Sequence, residues 1–281
     1  MRVWDPNAGG KQEFHRRCER ARRQLEILGI AGRGQVVWTQ TLGQALDGVQ
    51  WVQENAPESV DIKHKLYSEI EAAAPKDAVI ASSTSALTWT ELSGALKNPL
   101  RHITAHPFNP AHLIPLIELY GRDDATVQFA EAVFKRLGKQ TVRLKRDAVG
   151  HIANRLASAL WREAVHIVAD GIADVEAVDA ALVYGPGLRW SVAGAHMNYH
   201  LGGGTGGIKQ YLQVLGPSQE RRWATLGNPK LTPEVCKALI AGIEREASGS
   251  SIEELEDRRD RQLIELLKLR QTMASVSASL R

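Results

Sequence analysis

Arg2-Val3-Trp4-Asp5-Pro6, directly after Met1, is an apolar pair closed by an acid and a proline. A run of this kind reads as a short strand that ends on a carboxylate, and the first half of the chain alternates such runs with longer helical patterns. Working outward, the candidate strands are Arg2–Asp5, Gln35–Thr39, Val49–Gln53, Ala78–Ser82, His102–His106, Leu116–Leu119 and Thr141–Leu144. Helical stretches separate several of them: Gly10–Leu28, then Val60–Ala74 with Ile62, Leu66, Ile70 and Ala73 at helical spacing, and Ala125–Leu137 with Gly138 as its stop. The alternation predicts βα units and an α/β domain with a parallel sheet.

Strand signals cease after about Asp147, and the remainder reads as helices punctuated by Tyr184-Gly185-Pro186-Gly187 and Gly216-Pro217. The expected division is therefore an α/β domain over residues 1–147 and an all-α domain over 148–281. Ile252 to Met273 reads as a terminal amphipathic helix, docked on its own domain or on a second subunit.

Composition narrows the function classes. With 281 residues, 43% hydrophobic, 24% charged and a net charge of +3, the chain has the profile of a two-domain globular protein. Lys+Arg at 35 against Asp+Glu at 32 leaves too little excess to favour a nucleic-acid partner. Cys18 and Cys236 form no CxxC pair, so neither a disulfide framework nor a zinc site is expected, and no metal is required. No apolar run is long enough to span a bilayer, and the first residues lack the regions of a signal peptide, so the default expectation is a cytoplasmic protein with no membrane partner.

An acid closing a strand has a defined use in dinucleotide-binding folds, where it accepts hydrogen bonds from the adenosine ribose and selects NAD over NADP. Elsewhere such an Asp is a turn residue or a helix cap. The glycine-rich phosphate turn belonging to that acid lies about 20 residues before it, whereas only four residues precede Asp5. The expectation is a nucleotide-binding domain that begins at its second strand, without the first strand and its GxGxxG turn. Gly202-Gly203-Gly204-Thr205-Gly206-Gly207 is the tempting substitute, but it follows a helical pattern, whereas a dinucleotide turn leaves a strand. It is expected to be a flexible inter-helix loop.

Ala105-His106-Pro107-Phe108-Asn109-Pro110 closes a strand with a histidine and rigidifies the following turn with two prolines. A neutral imidazole there can take a proton from an alcohol as its carbon gives up hydride, provided a carboxylate steadies the imidazolium. Glu118, between apolar residues of the next strand, is the candidate carboxylate. The bland alternative is a capped turn histidine and an edge-strand glutamate. Ser82-Ser83-Thr84-Ser85 at a strand end and Gly150-His151-Ile152-Ala153-Asn154-Arg155 at the domain junction could meet this pair, although each alone is more often a helix cap.

In this order, SSTS, HPFNP, the glutamate of PLIEL and GHIANR resemble the 3-hydroxyacyl-CoA dehydrogenase superfamily over nearly the whole chain. The resemblance implies a Rossmann-type NAD-binding domain followed by a helical domain that carries the dimer contact. LWREA at 160–164, GLRWS at 187–191, the loop 201–207 and SIEELE at 251–256 look most like the branch that oxidises L-carnitine; the L-gulonate branch is somewhat less similar. By position, the resemblance implies His106 as general base, Glu118 as its partner, and Ser85 and Asn154 as groups holding the reacting oxygen. It implies NAD contacts at Asp5, Glu58, Lys63, Ser83 and Asn109. Ser83 stands where acyl-CoA members usually have Asn, and His151 where Phe is usual. A trimethylammonium substrate would suit aromatic faces such as Trp161, Trp190, Tyr199 and Trp223, and its carboxylate would suit Arg189. Each of these aromatics taken singly is more often a core or interface residue, and only the cluster as a whole favours a small zwitterion. The expected reaction is NAD-dependent oxidation of L-carnitine to 3-dehydrocarnitine; the alternatives are L-gulonate, a 3-hydroxyacyl-CoA, or a catalytically silent chain.

Overall fold

The computed structural model describes residues 1–30, 32 and 34–279, with side chains to Met273. Two compact units result: Met1–Arg155 together with the C-terminal stretch from Glu256, and Leu156–Leu255. In the first unit the strands are β1 (Arg2–Val3), β2 (Val37–Trp38), β3 (Trp51–Glu54), β4 (Val79–Ser82), β5 (His102–Pro107), β6 (Leu116–Tyr120) and β7 (Gln140–Arg143). Its helices are α1 (Lys11–Ile27), α2 (Leu42–Leu46), α3 (Val60–Ala73), α4 (Trp89–Ser93) and α5 (Asp124–Arg136). Then follow α6 (Ala153–Ala169), α7 (Val175–Tyr184), α8 (Pro186–Trp190), α9 (Ala195–Gly202), α10 (Gly207–Trp223), α11 (Pro233–Ala247) and α12 (Ile252–Ser279).

The strands form two sheets. β1 and β2 pair in parallel, while β3-β4-β5-β6-β7 make a five-stranded sheet in that order. The βα pattern predicts a parallel sheet, but β5 and β6 run antiparallel. The cause is the connection between them. Only residues 108–115 separate the two strands, too few for the crossover that a parallel pair needs.

Alternation along the strands sorts the core into two layers. Val79, Ala81, Ile103, Ala105, Ile117 and Leu119 face α5, packing on its Val127, Ala130 and Phe134. Ile80 points the other way, with Tyr67 and Ile70 of α3 and Leu92 of α4. The same parity puts Glu54, Ser82, His102, Thr104, His106 and Glu118 on the α3 side, so one face of the sheet carries nearly all of its buried polar groups.

His102 is fully buried between Tyr67 and Trp89, and neither ring nitrogen has a partner among the described residues. Burial, with a smaller contribution from the Lys63 charge, pulls its imidazole down from 6.5 to about 3. The folded protein therefore holds the ring neutral while the unfolded chain protonates it below pH 6.5. This contribution to stability is complete above that pH and is lost as the pH falls towards 3. The loss should approach about 1.4 kcal/mol per pH unit. Denaturant titrations at neutral and mildly acidic pH check it, with His102→Leu expected to flatten the acid limb; an unchanged limb would assign the acid sensitivity elsewhere.

The terminal helix packs within the first unit, whereas the sequence pattern predicts docking on the helical domain or on a second subunit. Leu263, Ile264 and Leu267 of α12 pack with Leu28 and Leu113 of the first unit. Arg20 reaches Glu256, Asp257 and Asp260, the last two at 2.8 and 3.0 Å, and Gln24 donates to Asp260 at 3.0 Å. An apolar stripe beside acids that face the basic α1 explains the choice.

In the second unit the glycine cluster is a tight closure rather than a loose loop. Gly203 lies so close to Gly207 that a Cβ would meet its carbonyl oxygen at 1.8 Å, and Gly207 itself has φ +59°. These glycines let α9 fold back onto α10, with the rings of Tyr199 and Tyr211 5.1 Å apart and tilted by 55° across the junction. Among the described residues, no helix is long and apolar enough to cross a membrane, and Cys18 and Cys236 are both free.

Candidate active site

The antiparallel register of β5 and β6 sets His106 opposite Glu118. Facing pairs on one side of a sheet have Cβ atoms about 5 Å apart, and here the side chains meet: His106 Nδ1 lies 2.9 Å from Glu118 Oε2. Both are buried, at 4% and 1% exposure. A carboxylate accepts, so Nδ1 carries the ring proton and Nε2 keeps its lone pair. Nε2 makes no hydrogen bond among the described residues.

Glu118 is held from its other oxygen as well. Oε1 accepts from the backbone N–H groups of Ile152 and Ala153, at 2.8 and 2.9 Å, where α6 begins. The first N–H groups of a helix have no partner within it and favour an anion. Burial pushes the Glu118 carboxyl up, but the hydrogen bonds from His106, Ala153 and Ile152 outweigh it, and the net shift is downward. The glutamate thus stays anionic beside the imidazole.

The hydroxyl-rich turn after β4 is fixed from several directions. Glu58 Oε1 accepts from the Thr84 hydroxyl at 2.6 Å, from Ser85 N and Ala86 N at 2.8 Å, and from Leu87 N at 3.4 Å. Although burial raises the Glu58 carboxyl, these donors bring it below its ordinary value. Asn154 Nδ2 donates to the Ser85 carbonyl at 3.1 Å, and His151 Nε2 lies 3.0 Å from the Thr84 carbonyl. The Ser85 side chain is exposed. His106, Glu118, Ser85 and Asn154, the four expected catalytic residues, are therefore joined through this turn and the start of α6.

Beneath the turn lies a charged cluster in which Lys63 and Glu58, expected as cofactor contacts, meet Glu54 and Tyr67, which the sequence does not single out. Lys63 Nζ is 2.8 Å from Glu54 Oε1, 3.0 Å from the Ala56 carbonyl and 3.6 Å from Glu58 Oε2. Tyr67 and Ser82 both donate to Glu54 Oε2 at 2.8 Å. Burial, aided by the Glu54 charge, pushes the Tyr67 hydroxyl upward, which keeps it a donor. A carboxylate at a strand end with a lysine nine residues later on a helix was the available signal. Their burial is what the sequence conceals.

The expected cofactor residues fall into two groups. Asp5 is exposed just beyond β1 with Oδ1 accepting from Asn7 N at 2.7 Å, so Oδ2 remains for hydroxyl donors. Asn109 is exposed after β5, and Ser83, after β4, bonds Asn55 and Gln53. These acceptors and amides at strand C-terminal ends suit the ribose and carboxamide groups of a nicotinamide dinucleotide. Glu58 and Lys63 instead brace the turn, as described.

Arg189, Trp190, Tyr199 and Trp223 belong to the second unit, on α8, α9 and the end of α10. Tyr199 pairs with Tyr211, while no ring contact joins Trp190 or Trp223 to another aromatic among the described residues. The described residues contain no group of three or more side chains that could hold a metal ion.

Residues 10–148 match the family described as 3-hydroxyacyl-CoA dehydrogenase, NAD binding domain, and residues 150–242 match the 3-hydroxyacyl-CoA dehydrogenase C-terminal domain. An L-carnitine dehydrogenase of Streptomyces coelicolor is 40% identical over 272 residues, covering 95% of this chain and 86% of the relative. One from Bacillus cereus is 38% identical over 271 residues, covering 94% and 83%. Among solved structures, an NAD+-dependent dismutase, 5-formyl-3-hydroxy-2-methylpyridine 4-carboxylic acid 5-dehydrogenase, superposes with a TM-score of 0.82 at 27% identity, covering 95% of this chain and 89% of that one. FadB2 of M. tuberculosis gives 0.60 at 29% identity, covering 66% and 69%. The chain belongs to the 3-hydroxyacyl-CoA dehydrogenase family of NAD-dependent oxidoreductases, with a Rossmann-like NAD-binding domain followed by a helical C-terminal domain.

Proposed function

We propose that the protein oxidises the 3-hydroxyl of L-carnitine to 3-dehydrocarnitine, with NAD as acceptor. The observation that carries this reading is the buried His106–Glu118 pair, whose register leaves His106 Nε2 free to take a hydroxyl proton. The relatives named L-carnitine dehydrogenase support the choice of substrate.

In this reading His106 Nε2 accepts the proton, and the Glu118 carboxylate stabilises the imidazolium that results. Ser85 and Asn154 hold the reacting oxygen. Asp5, Ser83 and Asn109 contact the cofactor, while Glu58 and Lys63 act on it through the turn they brace. NAD, when bound, supplies the hydride acceptor. By chemistry alone, the faces of Trp190, Tyr199 and Trp223 suit a trimethylammonium and the Arg189 fork suits a carboxylate.

A substrate panel tests the reading. Protein with NAD+ should form NADH with L-carnitine at a kcat/KM at least about tenfold above those for L-gulonate and a 3-hydroxyacyl-CoA, a ratio that one well-matched charged or polar contact can supply. A preference for either competitor would replace carnitine as the substrate.

The helical unit also supports a homodimer. It exposes large apolar side chains, among them Leu156, Trp161, Tyr184, Leu212 and Trp223, more than a monomer ordinarily leaves in water. Sedimentation at micromolar concentration should give twice the chain mass of 30.9 kDa. A folded monomer there would exclude the dimer.

A further inference from the structure

Beside the proposed catalytic pair stands a second imidazole that this chemistry does not use. His151 is 1% exposed, and its ring centroid lies 5.1 Å from that of His106 at an interplanar angle of 47°. Its backbone has φ +50°, in the left-handed region that non-glycine residues seldom occupy, and it follows Gly150 at φ +71°. The Thr84 carbonyl can only accept, so Nε2 is the protonated nitrogen in their 3.0 Å contact. Nδ1 then keeps its lone pair, and it is buried with no partner.

This arrangement is costly. A phenyl ring would fill the same space without burying an unpaired nitrogen. What the imidazole adds over a phenyl is a single hydrogen bond, so its use is to be sought at Thr84. Thr84 is itself buried, and no other donor to its carbonyl occurs among the described residues. Glu58 holds the N–H groups of the turn, Asn154 holds the Ser85 carbonyl and His151 holds the Thr84 carbonyl. Segment 151–154 also supplies the two N–H groups on Glu118. One short stretch of backbone therefore sets the orientation of Glu118 and the place of Ser85 together.

We propose that His151 is a positioning residue: through its Nε2–H bond to the Thr84 carbonyl it fixes the turn that presents the Ser85 hydroxyl to the substrate. The inference rests on the dehydrogenase reading of His106 and Ser85 for its kinetic consequence, but not for its structural one. His151→Phe keeps a ring against His106 and removes the donor; His151→Gln keeps an N–H donor and removes the ring.

Hydrogen exchange over residues 82–88 of the intact protein reads the tether without any assay of activity. Exchange should be faster in His151→Phe and close to wild type in His151→Gln; equal rates in all three proteins overturn the proposal. Kinetically, His151→Phe should lower kcat for the 3-hydroxy acid by about tenfold to hundredfold, the scale of a displacement near 1 Å. NAD affinity should be unchanged, and His151→Gln should recover most of the loss. In a Ser85→Ala background the same His151→Phe change should cost almost nothing further, because the group it positions is already gone. An equal loss in both backgrounds, or no recovery in His151→Gln, would reject the role. If the wild-type protein oxidised no 3-hydroxy acid, the dehydrogenase reading would fail while the exchange result still decided the tether.

Discussion

His106→Gln should reduce kcat for L-carnitine oxidation by about 10²–10⁴-fold, the range that a positioned general base contributes. The replacement separates the base from the scaffold. A glutamine amide can still donate to Glu118 Oε2, the bond that His106 Nδ1 makes at 2.9 Å, so the carboxylate is not left without that donor. It cannot take up a proton at neutral pH, so the alcohol is left without an acceptor. NAD affinity, read by calorimetry, should stay within about twofold, because the expected cofactor contacts lie on other residues. A variant that kept more than about a tenth of the wild-type kcat would move the base elsewhere.

Lys63→Met should destabilise the first unit by about 3–5 kcal/mol, the cost of leaving one partner of a buried ion pair uncompensated. Lys63 and Glu54 are 1% and 3% exposed, and their 2.8 Å contact lies beneath the turn that carries Ser85. Methionine matches the aliphatic stem of lysine, so packing loss is small beside the charge effect. Without the ammonium, Glu54 keeps only neutral donors from Tyr67, Ser82 and the Ala56 backbone. The double variant Lys63→Met, Glu54→Gln should be more stable than Lys63→Met alone, since the stranded charge is gone. Urea titration followed by the fluorescence of the buried Trp89 measures both. A loss below about 1 kcal/mol in the single variant would mean that water reaches Glu54 and the pair is not buried in solution.

Local pattern carried the strands and most helices of the first unit. Ile62, Leu66, Ile70 and Ala73 marked α3, and the apolar runs that became β4, β5 and β6 were visible as such. The direction of β6 was not, because it depends on how few residues join it to β5 rather than on its own composition. The place of α12 escaped for a similar reason: its partners, Arg20, Leu28 and Leu113, lie far away in the chain. Glycines 202–207 looked like a flexible linker since composition does not distinguish freedom from close approach.

The site was legible where a residue type was unusual for its surroundings. His106 before a proline and Glu118 between apolar residues stood out, and the register then placed them together. Glu54 and Tyr67 were silent because a strand-end acid and a helix tyrosine are common. Only their burial, and the lysine between two carboxylates, distinguish them. His151 showed as a departure from the family pattern, but its bond to Thr84 required the fold.

In the proposed reaction hydride leaves carbon 3 of L-carnitine as His106 takes the hydroxyl proton. L-carnitine deuterated at that carbon, incubated with the protein and NAD+, tests it most directly by mass spectrometry of the reduced nicotinamide. One deuterium per NADH formed is expected, with the rate falling in His106→Gln by the same factor of about 10²–10⁴. Unlabelled NADH, or no NADH from L-carnitine at all, would contradict it.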